Sequence, residues 1–311
     1  MRVFVTGASG HLGSAVVPEL LAAGHQVVGL ARSDAAAATV EKRGAQARRG
    51  DLDDLDGLRE ASSAADGVVH LAYRHDLMTS GDGEGAVRTD LAALEAITEA
   101  LAGTGKPLVS TSGTPMAAMA APGRIATEQV VGESGPRIDA ENLVIGGADR
   151  GVRSSVIRLP PTVHGELDRY GFVPGMIAVA RQHGYAAYVG EGANRWPAVD
   201  TRDAARLYRL ALESAPAGNR LHAVADEAVP LAEIAAAIGR GLGVPVRSIG
   251  PEEAAAHFGF LAPIVQLDNP STATVTRALM GWQPQHPGLI EDLAQEHYFR
   301  HQDAGNPRAD P

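Results

Sequence analysis

The first thirteen residues place three evenly spaced glycines directly behind a short apolar run. The run Val3–Val5 leads into Gly7, Gly10 and Gly13, and an apolar stretch with helical spacing follows. Glycines at a strand-to-helix junction permit a tight turn and a close backbone approach, and they leave the first N–H groups of the helix directed at a pyrophosphate. A tight turn that needs positive φ would also use glycine. The position directly after the first strand favours a nucleotide site.

The first half of the chain alternates β-rich runs with stretches of helical period. This alternation is typical of βαβ units, so we predict an α/β fold with a doubly wound parallel sheet covered on both faces. We interpret the Ala-rich tract Asp34–Ala38 as a turn. The predicted strands are 2–7, 25–31, 45–50, 67–72, 106–112 and 153–160, and the predicted helices between them are 11–24, 53–65, 86–103 and 138–151.

The regular alternation of strands and helices ends after Pro160, where proline and glycine interrupt the chain and shorter helical stretches follow. We predict a first domain over residues 1–162, with 194–226 packing back on it. Residues 163–193 and 227–302 then form a smaller carboxy-terminal α/β lobe, and 303–311 form a disordered tail. The helices predicted in this half are 176–184, 201–213, 230–243, 251–258 and 289–299.

Composition excludes several classes of function. The 27 Lys and Arg against 37 Asp and Glu give a net charge of 27 − 37 = −10, so the chain lacks the basic field that nucleic acid or anionic lipid requires. The absence of cysteine excludes disulfides and a thiolate nucleophile. His297 and His301 have helical spacing but no third ligand nearby, so we predict no metal site. With no leader or membrane-length apolar run, we expect a soluble cytoplasmic protein.

Several short motifs resemble those of one enzyme superfamily. The segment TGASGHLG resembles the Thr-Gly-x-x-Gly-x-x-Gly fingerprint of extended and atypical short-chain dehydrogenases/reductases, in the epimerase/dehydratase-like branch. Further matches are HLA, STSGT, PPTVHG, WPAVDTRDAA and LMGWQP. The resemblance implies a Rossmann domain that binds a nicotinamide dinucleotide, with the substrate held by the carboxy-terminal lobe. The cofactor-binding residues expected on these motifs are Gly7, Ser9, Gly10, His11, Leu12, Gly13, Asp51, Leu52, Leu71, Ala72, Thr111, Pro160 and Pro161.

The end of the second strand indicates which cofactor is preferred. Ala31 stands where an acidic residue would bind the ribose hydroxyls of NAD, and Arg32 and Ser33 follow. A guanidinium beside a hydroxyl suits a 2′-phosphate, so we predict NADPH over NADH. The alternative is that Arg32 is a solvated surface residue. Asp51, expected by resemblance to flank the adenine, has the alternative role of capping the next helix.

The catalytic pair typical of short-chain dehydrogenases, Tyr-x-x-x-Lys, is absent. The only lysines are Lys42 and Lys106, and neither has a tyrosine four residues earlier. Arg137 lies near the expected place and offers fixed positive charge, but an arginine does not deprotonate and is a poor substitute for tuning a phenol. The alternative for Arg137 is a surface salt bridge.

Other side chains must therefore supply the proton. Ser112 matches the family's active-site serine at the carboxyl edge of the fifth strand, where it would contact substrate or else cap a helix. Tyr73 is our first choice as hydrogen-bond donor and His164 our second, since imidazole titrates near neutral pH. A lone tyrosine or histidine in a loop often has only a packing role. Asp90 stands where the family often has an asparagine that positions the active-site backbone, and the alternative is an ordinary polar helix residue.

Two further features concern the second half of the chain. By resemblance, Asp203 supports structure. The aromatic residues there could line an apolar substrate pocket or form core. They are Tyr170, Phe172, Trp196, Phe258 and Phe260.

Without the catalytic pair, substrates that need less help from a proton donor are favoured, such as an enone or a protonated imine. We therefore predict an NADPH-dependent oxidoreductase that reduces a small or medium apolar carbonyl, enone or imine. A non-catalytic redox-sensing module is the main alternative, and a sugar-nucleotide epimerase or dehydratase is a third. The resemblance allows a homodimer through the helices beginning near Glu84 and Arg137, unless their apolar residues face the sheet.

Overall fold

The computed structural model describes residues 1–300. The predicted tail 303–311, as well as His301, lies outside these residues. None of the helices in this part of the chain combines the length and the apolar character that crossing a bilayer requires.

The strands and helices alternate along the amino-terminal half and become shorter towards the carboxyl terminus. The strands are β1 Arg2–Thr6, β2 Gln26–Ala31, β3 Gln46–Arg49, β4 Gly67–His70, β5 Pro107–Gly113, β6 Arg153–Leu159, β7 Thr162–His164, β8 Ala186–Val189, β9 Arg195–Asp200, β10 Asn219–His222, β11 Asp226–Pro230 and β12 Val246–Ile249. The helices are α1 Gly13–Ala22, α2 Asp34–Lys42, α3 Leu55–Ala64, α4 His75–Ser80, α5 Gly83–Leu101, α6 Thr114–Ala120, α7 Ile138–Gly146, α8 Phe172–His183, α9 Thr201–Ser214, α10 Leu231–Leu242, α11 Ala254–Phe258, α12 Ala262–Val265, α13 Thr274–Met280 and α14 Leu289–Asp292.

A seven-stranded sheet in the order β10-β6-β5-β4-β1-β2-β3 forms the centre of the fold. Every neighbouring pair in it is parallel. Because strand order reverses beside β1, the loops after β1 and β4 diverge there and leave a crevice at the carboxyl edge. The predicted α/β fold with a doubly wound parallel sheet is confirmed.

The two faces of the sheet carry separate cores, as the period-two geometry of a strand requires. Val3 and Val5 of β1 pack with α1 and α9, whereas Phe4 packs with α3, α5 and α7. The buried apolar residues of α5 and α7, including Leu94 and Val144, belong to this second core. These buried residues therefore face the sheet.

Two sequence predictions about helices were wrong. Asp34–Ala38 is not a turn but the start of α2, because Ser33 accepts a hydrogen bond from the Ala36 N–H at 3.2 Å and alanine has the highest helix propensity. The predicted helix 289–299 is broken: α14 ends at Asp292, and a short 3₁₀ turn, Glu296–Tyr298, follows.

The carboxy-terminal part adds a three-stranded sheet, β11-β9-β7, and a two-stranded sheet, β12-β8. Trp196 and Phe258 are buried in its core, and Phe172 packs against Trp196 with ring centroids 6.0 Å apart. Tyr170 and Phe260 are instead exposed by 55% and 68%. The aromatic residues singled out in the sequence are thus divided between core and surface. Within residues 194–226, α9 packs on α1 and β10 joins the large sheet.

Asp203 anchors the segment after α13 to the first turn of α9. Its buried carboxylate accepts hydrogen bonds from the N–H groups of Gln285 at 2.9 Å and His286 at 2.9 Å. Its backbone carbonyl accepts from the indole of Trp282 at 3.0 Å. These bonds give Asp203 the supporting role that the resemblance implied.

We expect Asp203→Ala to lower the free energy of unfolding by about 2 kcal/mol, because two backbone donors lose a charged acceptor. Urea denaturation followed by circular dichroism measures the change. The matched control is Asp149→Ala, which removes the same group from an exposed position and should change stability by less than about 0.5 kcal/mol. Equal effects of the two substitutions would contradict the anchoring role.

Candidate active site

The loop after β1 is held by two glycines for which other residues lack room. Gly7 has φ +69°, and a Cβ there would lie 2.7 Å from the Ala72 nitrogen and 2.9 Å from the Leu71 carbonyl carbon. A Cβ on Gly13 would lie 2.5 Å from the carbonyl oxygens of both Gly7 and Ala8. Glycine at these positions lets the loop pack against the chain after β4 and lets α1 pack under the loop.

Gly10 differs, because little of the protein crowds it. It is exposed, and the nearest atom to a Cβ there would be the Gly7 carbonyl oxygen at 3.3 Å. The N-cap residue of α1, Leu12, makes no side-chain capping bond within the described chain. The N–H groups of Ser14 and Ala15 already donate to the carbonyls of Gly10 and Leu12, both at 3.0 Å, so a ligand would meet the loop before α1, where Gly10 leaves space for its approach. These features fit the pyrophosphate of a dinucleotide.

His11 connects the glycine loop to the carboxy-terminal part. Thr201 donates its hydroxyl proton to the His164 carbonyl at 2.8 Å, so it accepts from His11 Nε2 at 3.1 Å. Burial lowers the pKa of His11 to about 4, which keeps the ring uncharged near neutral pH. Ser9 and Leu12 are half-buried in the same loop.

Arg43 supports the glycine loop from the end of α2, and the sequence offered no signal for it. Its guanidinium donates to the carbonyl of Ala8 and, at 3.4 Å, to that of Gly10. Binding these carbonyls fixes the loop orientation. Only the folded chain brings residues with a sequence separation of 35 together in this way.

The end of β2 carries an ion-paired arginine rather than an isolated one. Arg32 binds Asp76 at 3.0 Å, and Arg74 binds both Asp76, at 3.0 Å, and Asp53, at 2.7 Å. The hydrogen bond from Arg74, followed by that from Arg32, holds the pKa of Asp76 well below its usual range. Ser33 caps α2. Arg32 and Arg74 thus form an ion-pair network with Asp76 and Asp53.

Asp51 and Leu52 begin the turn after β3. Asp51 accepts a hydrogen bond from the Leu52 N–H at 2.6 Å, and the side chain of Leu52 is buried against the sheet. The cap of α3 is Asp54, which accepts from the Gly57 N–H at 3.0 Å. Asp54, and not Asp51, therefore caps α3.

Tyr73 and Arg137 meet although they come from different parts of the chain. The guanidinium carbon of Arg137 lies 4.3 Å from the centroid of the Tyr73 ring. The same guanidinium donates to Asp90 at 3.0 Å and to the Thr111 carbonyl at 2.6 Å. Arg137 is thus partly buried and forms its salt bridge inside the crevice rather than on the surface. The placement puts a cation on the face of the tyrosine.

Ser112 directly follows Thr111, whose carbonyl accepts the hydrogen bond from Arg137. It is 4% exposed, and its Oγ has no hydrogen-bond partner among residues 1–300. The N-cap of α6 is Gly113, without a side-chain capping bond, so Ser112 does not cap that helix. The Thr111 hydroxyl is already hydrogen-bonded, since it donates to the His70 carbonyl at 2.9 Å and accepts from the Tyr208 hydroxyl at 2.7 Å.

His164 is fully buried, unlike Tyr73. Its Nδ1 lies 2.9 Å from a carboxylate oxygen of Asp292, and its Nε2 has no partner within the described residues. Nearby, burial raises the pKa of Asp168 to about 6, and Tyr298 donates to that carboxylate at 3.3 Å. The sequence gave no indication of this cluster. Pro160 is buried and Pro161 half-buried just before β7.

The comparisons with known proteins agree with this geometry. The model of the NAD dependent epimerase/dehydratase family matches residues 3–224. The chain belongs to this family. An uncharacterized protein of Schizosaccharomyces pombe is 46% identical to this chain over 96% of this chain and 100% of its own length. An uncharacterized protein of Saccharomyces cerevisiae is 42% identical over 94% of this chain and 98% of its own length.

Solved structures show the same fold at much lower sequence identity. The dTDP-glucose 4,6-dehydratase DesIV of Streptomyces venezuelae, crystallised with NAD, superposes with a TM-score of 0.76 and 20% identity. The match covers 96% of this chain and 97% of that one. The family supports an NAD(P) cofactor, the solved structures show the fold, and the reaction is left to be argued from the site.

We expect Gly10→Ala to weaken binding of the dinucleotide about tenfold, or ~1.4 kcal/mol, because its methyl group enters the space for the pyrophosphate. Gly13→Ala should instead destabilise the fold, since its Cβ meets two carbonyl oxygens at 2.5 Å. Gly146→Ala, which has open space around the new methyl group, is the control for both. Calorimetric titration and thermal melting separate the effects. Unchanged affinity in Gly10→Ala would contradict the pyrophosphate site.

Proposed function

We propose that this protein is an NADPH-dependent reductase of a small or medium apolar carbonyl, enone or imine. The observation that carries the proposal is the contact of Arg137 with the Tyr73 ring at 4.3 Å. The same guanidinium donates a hydrogen bond to the Thr111 carbonyl, and Ser112 is the next residue in β5. A phenol and a cation thus lie at the crevice in which a family member binds its cofactor, next to the buried Ser112 hydroxyl, which has no partner among residues 1–300.

The reaction needs a hydride and a proton. A bound nicotinamide in its reduced form supplies the hydride, with its two electrons, to the substrate carbon. Ser112 Oγ donates a hydrogen bond that holds the substrate oxygen or nitrogen. Tyr73 transfers its hydroxyl proton to the substrate and is re-protonated by water. Arg137 lies against the face of the Tyr73 ring and holds the phenol in place.

Tyr73 is assigned the proton because of its accessibility. It is half-buried in the crevice, whereas His164 is fully buried and bound to Asp292. Enones and imines are favoured as substrates because an enone spreads charge over an enolate, and an imine can arrive protonated. Neither substrate requires a strong acid, which suits a tyrosine without a neighbouring lysine.

The preference for NADPH rests on the residues around the end of β2. Ala31 occupies the position where an acidic residue would bind the ribose of NAD, so this position carries no carboxylate. The Arg32 side chain is 47% exposed and pairs with Asp76 at 3.0 Å, so its guanidinium is accessible to a 2′-phosphate. The hydroxyl of Ser33 follows at the N-terminus of α2.

A non-catalytic redox sensor is the second candidate, and the missing Tyr-x-x-x-Lys pair favours it. Such a module would bind the dinucleotide without transferring hydride. Incubation with NADPH deuterated at C4 and a pool of enones, imines and ketones distinguishes the two. Deuterium in a product supports the reductase, and tight NADPH binding without labelled product supports the sensor.

We expect Arg32→Ala to weaken binding of NADPH at least about tenfold and to leave binding of NADH nearly unchanged, since only NADPH carries the 2′-phosphate. Titration of both cofactors measures the ratio. Arg59→Ala, on the exposed face of α3, should leave both affinities unchanged. If the wild-type protein binds the two cofactors equally, the preference for NADPH is wrong.

We expect Tyr73→Phe and Ser112→Ala each to lower kcat about 10²- to 10⁴-fold while the affinity for NADPH stays the same. Steady-state kinetics with a compound that the protein reduces in the labelling experiment gives kcat. Tyr170→Phe, which alters an exposed tyrosine, is the matched control. Wild-type turnover by the Tyr73→Phe, Ser112→Ala double variant would remove both proposed roles.

A further inference from the structure

Arg137 occupies its place at an energetic cost. Of the residues that the structure describes, it is the one non-glycine residue with positive φ, at 66°. The left-handed conformation costs a residue with a side chain about 1–2 kcal/mol. Outlying backbone of this kind persists when surrounding contacts hold it. The bonds of the guanidinium to Asp90 at 3.0 Å and to the Thr111 carbonyl at 2.6 Å are those contacts.

Asp90 is itself held by a buried histidine. It is 2% exposed, and its second carboxylate oxygen lies 3.2 Å from His70 Nε2. On the other side of the ring, Thr6 accepts a hydrogen bond from the Ala72 N–H at 3.2 Å and lies 3.0 Å from His70 Nδ1. The contact between the Thr6 hydroxyl and Nδ1 fixes the orientation of the His70 ring. His70 Nε2 and the Arg137 guanidinium thus contact different oxygens of the buried Asp90 carboxylate.

The charges next to Tyr73 therefore cancel. Arg137 contributes one positive charge, and Asp90, hydrogen-bonded to it, contributes one negative charge. In the Tyr-x-x-x-Lys pair that this chain lacks, the lysine lowers the pKa of the tyrosine. Here the cation has a buried partner, so a tyrosinate would form in a half-buried site with no net positive charge beside it.

We propose that Asp90 neutralises Arg137 so that Tyr73 stays a protonated phenol, which commits the site to giving a proton and hence to reduction. This inference rests on the proposed function. Reduction requires the phenol as an acid, whereas oxidation of an alcohol requires the tyrosinate as a base. Asp90 is thus a positioning residue that acts through Arg137, and Tyr73 is the catalytic residue.

The surroundings of Tyr73 agree with this assignment. Burial raises the pKa of Tyr73, Arg137 lowers it and Asp90 raises it, with a net increase. The ring of His75 contacts that of Tyr73 edge-on, with centroids 5.4 Å apart, and a histidine is neutral where a tyrosine titrates. The next residue, Arg74, is engaged by Asp53 and Asp76.

The test is a direct titration of Tyr73 that needs neither substrate nor turnover. The full-length protein is labelled with ¹³C at the tyrosine Cζ atoms, and the Tyr73 signal is assigned from the Tyr73→Phe variant. In the wild type we expect Tyr73 to titrate above its ordinary pKa of about 10. Asp90→Asn should lower this pKa by about one unit or more, because the anion is removed while the amide oxygen still accepts from Arg137. Arg137→Gln should raise it.

Glu95→Gln is the matched control, since it removes the same charge from the exposed side of α5, and it should leave the Tyr73 titration unchanged. A wild-type pKa below about 9 overturns the inference without any variant. A Tyr73 pKa in Asp90→Asn that is equal to or above the wild-type value also overturns the inference.

The pH dependence of turnover provides a second measurement. In reduction the phenol is the active form, so kcat falls as pH rises through the pKa of Tyr73. We expect this fall at lower pH in Asp90→Asn than in the wild type, whereas a purely structural role would reduce kcat at every pH alike. If the NMR titrations behave as expected and no substrate is reduced, the proposed function is wrong and the charge cancellation stands. If reduction occurs and the titrations do not shift, the inference is wrong and the proposed function stands.

Discussion

The close approach of the loop after β1 to the chain after β4 is the constraint on which the candidate site depends. A Cβ on Gly7 would lie 2.7 Å from the Ala72 nitrogen, so only glycine permits this packing. The approach also lets Thr6 bind both the Ala72 N–H and the ring of His70. Tyr73 follows Ala72 directly, and Asp90 is bound to His70. One glycine therefore places the cofactor loop, the tyrosine and the buried acid together.

Arg137 shows how a site can carry charge without the lysine that is usual in the superfamily. An arginine remains charged at any accessible pH, and its planar group stacks on an aromatic ring while its edge donates hydrogen bonds. It therefore provides electrostatic stabilisation and geometry but no titrating group. The buried Asp90 then determines how much of that charge the phenol senses.

Membership of the epimerase/dehydratase family constrains the fold and the cofactor class more than the reaction. Many functions share the Rossmann architecture, and function resides in the site built upon it. The sugar-nucleotide enzymes among the structural neighbours share about 20% of their residues with this chain and so indicate its fold alone. The arrangement of Tyr73, Arg137 and Ser112 is the feature from which a reaction is inferred.

The sequence by itself determined what depends on local pattern. Alternating strands and helices indicated the parallel sheet, the spacing of Gly7, Gly10 and Gly13 indicated the dinucleotide loop, and the positions of Lys42 and Lys106 excluded the usual catalytic pair. The interpretation of Asp34–Ala38 as a turn was wrong, because Ser33 caps a helix there.

Only the tertiary structure decided which side chains meet. Arg137 and Asp90 are separated by 47 residues and Arg43 and Ala8 by 35, and no periodicity links them. Nor does the sequence reveal that His164 is buried while Tyr73 is accessible, although both follow strands. The physical reason is that hydrogen bonds, ion pairs and burial depend on distances in space, which the crossovers of the sheet set, whereas helix and strand preferences depend on neighbours along the chain.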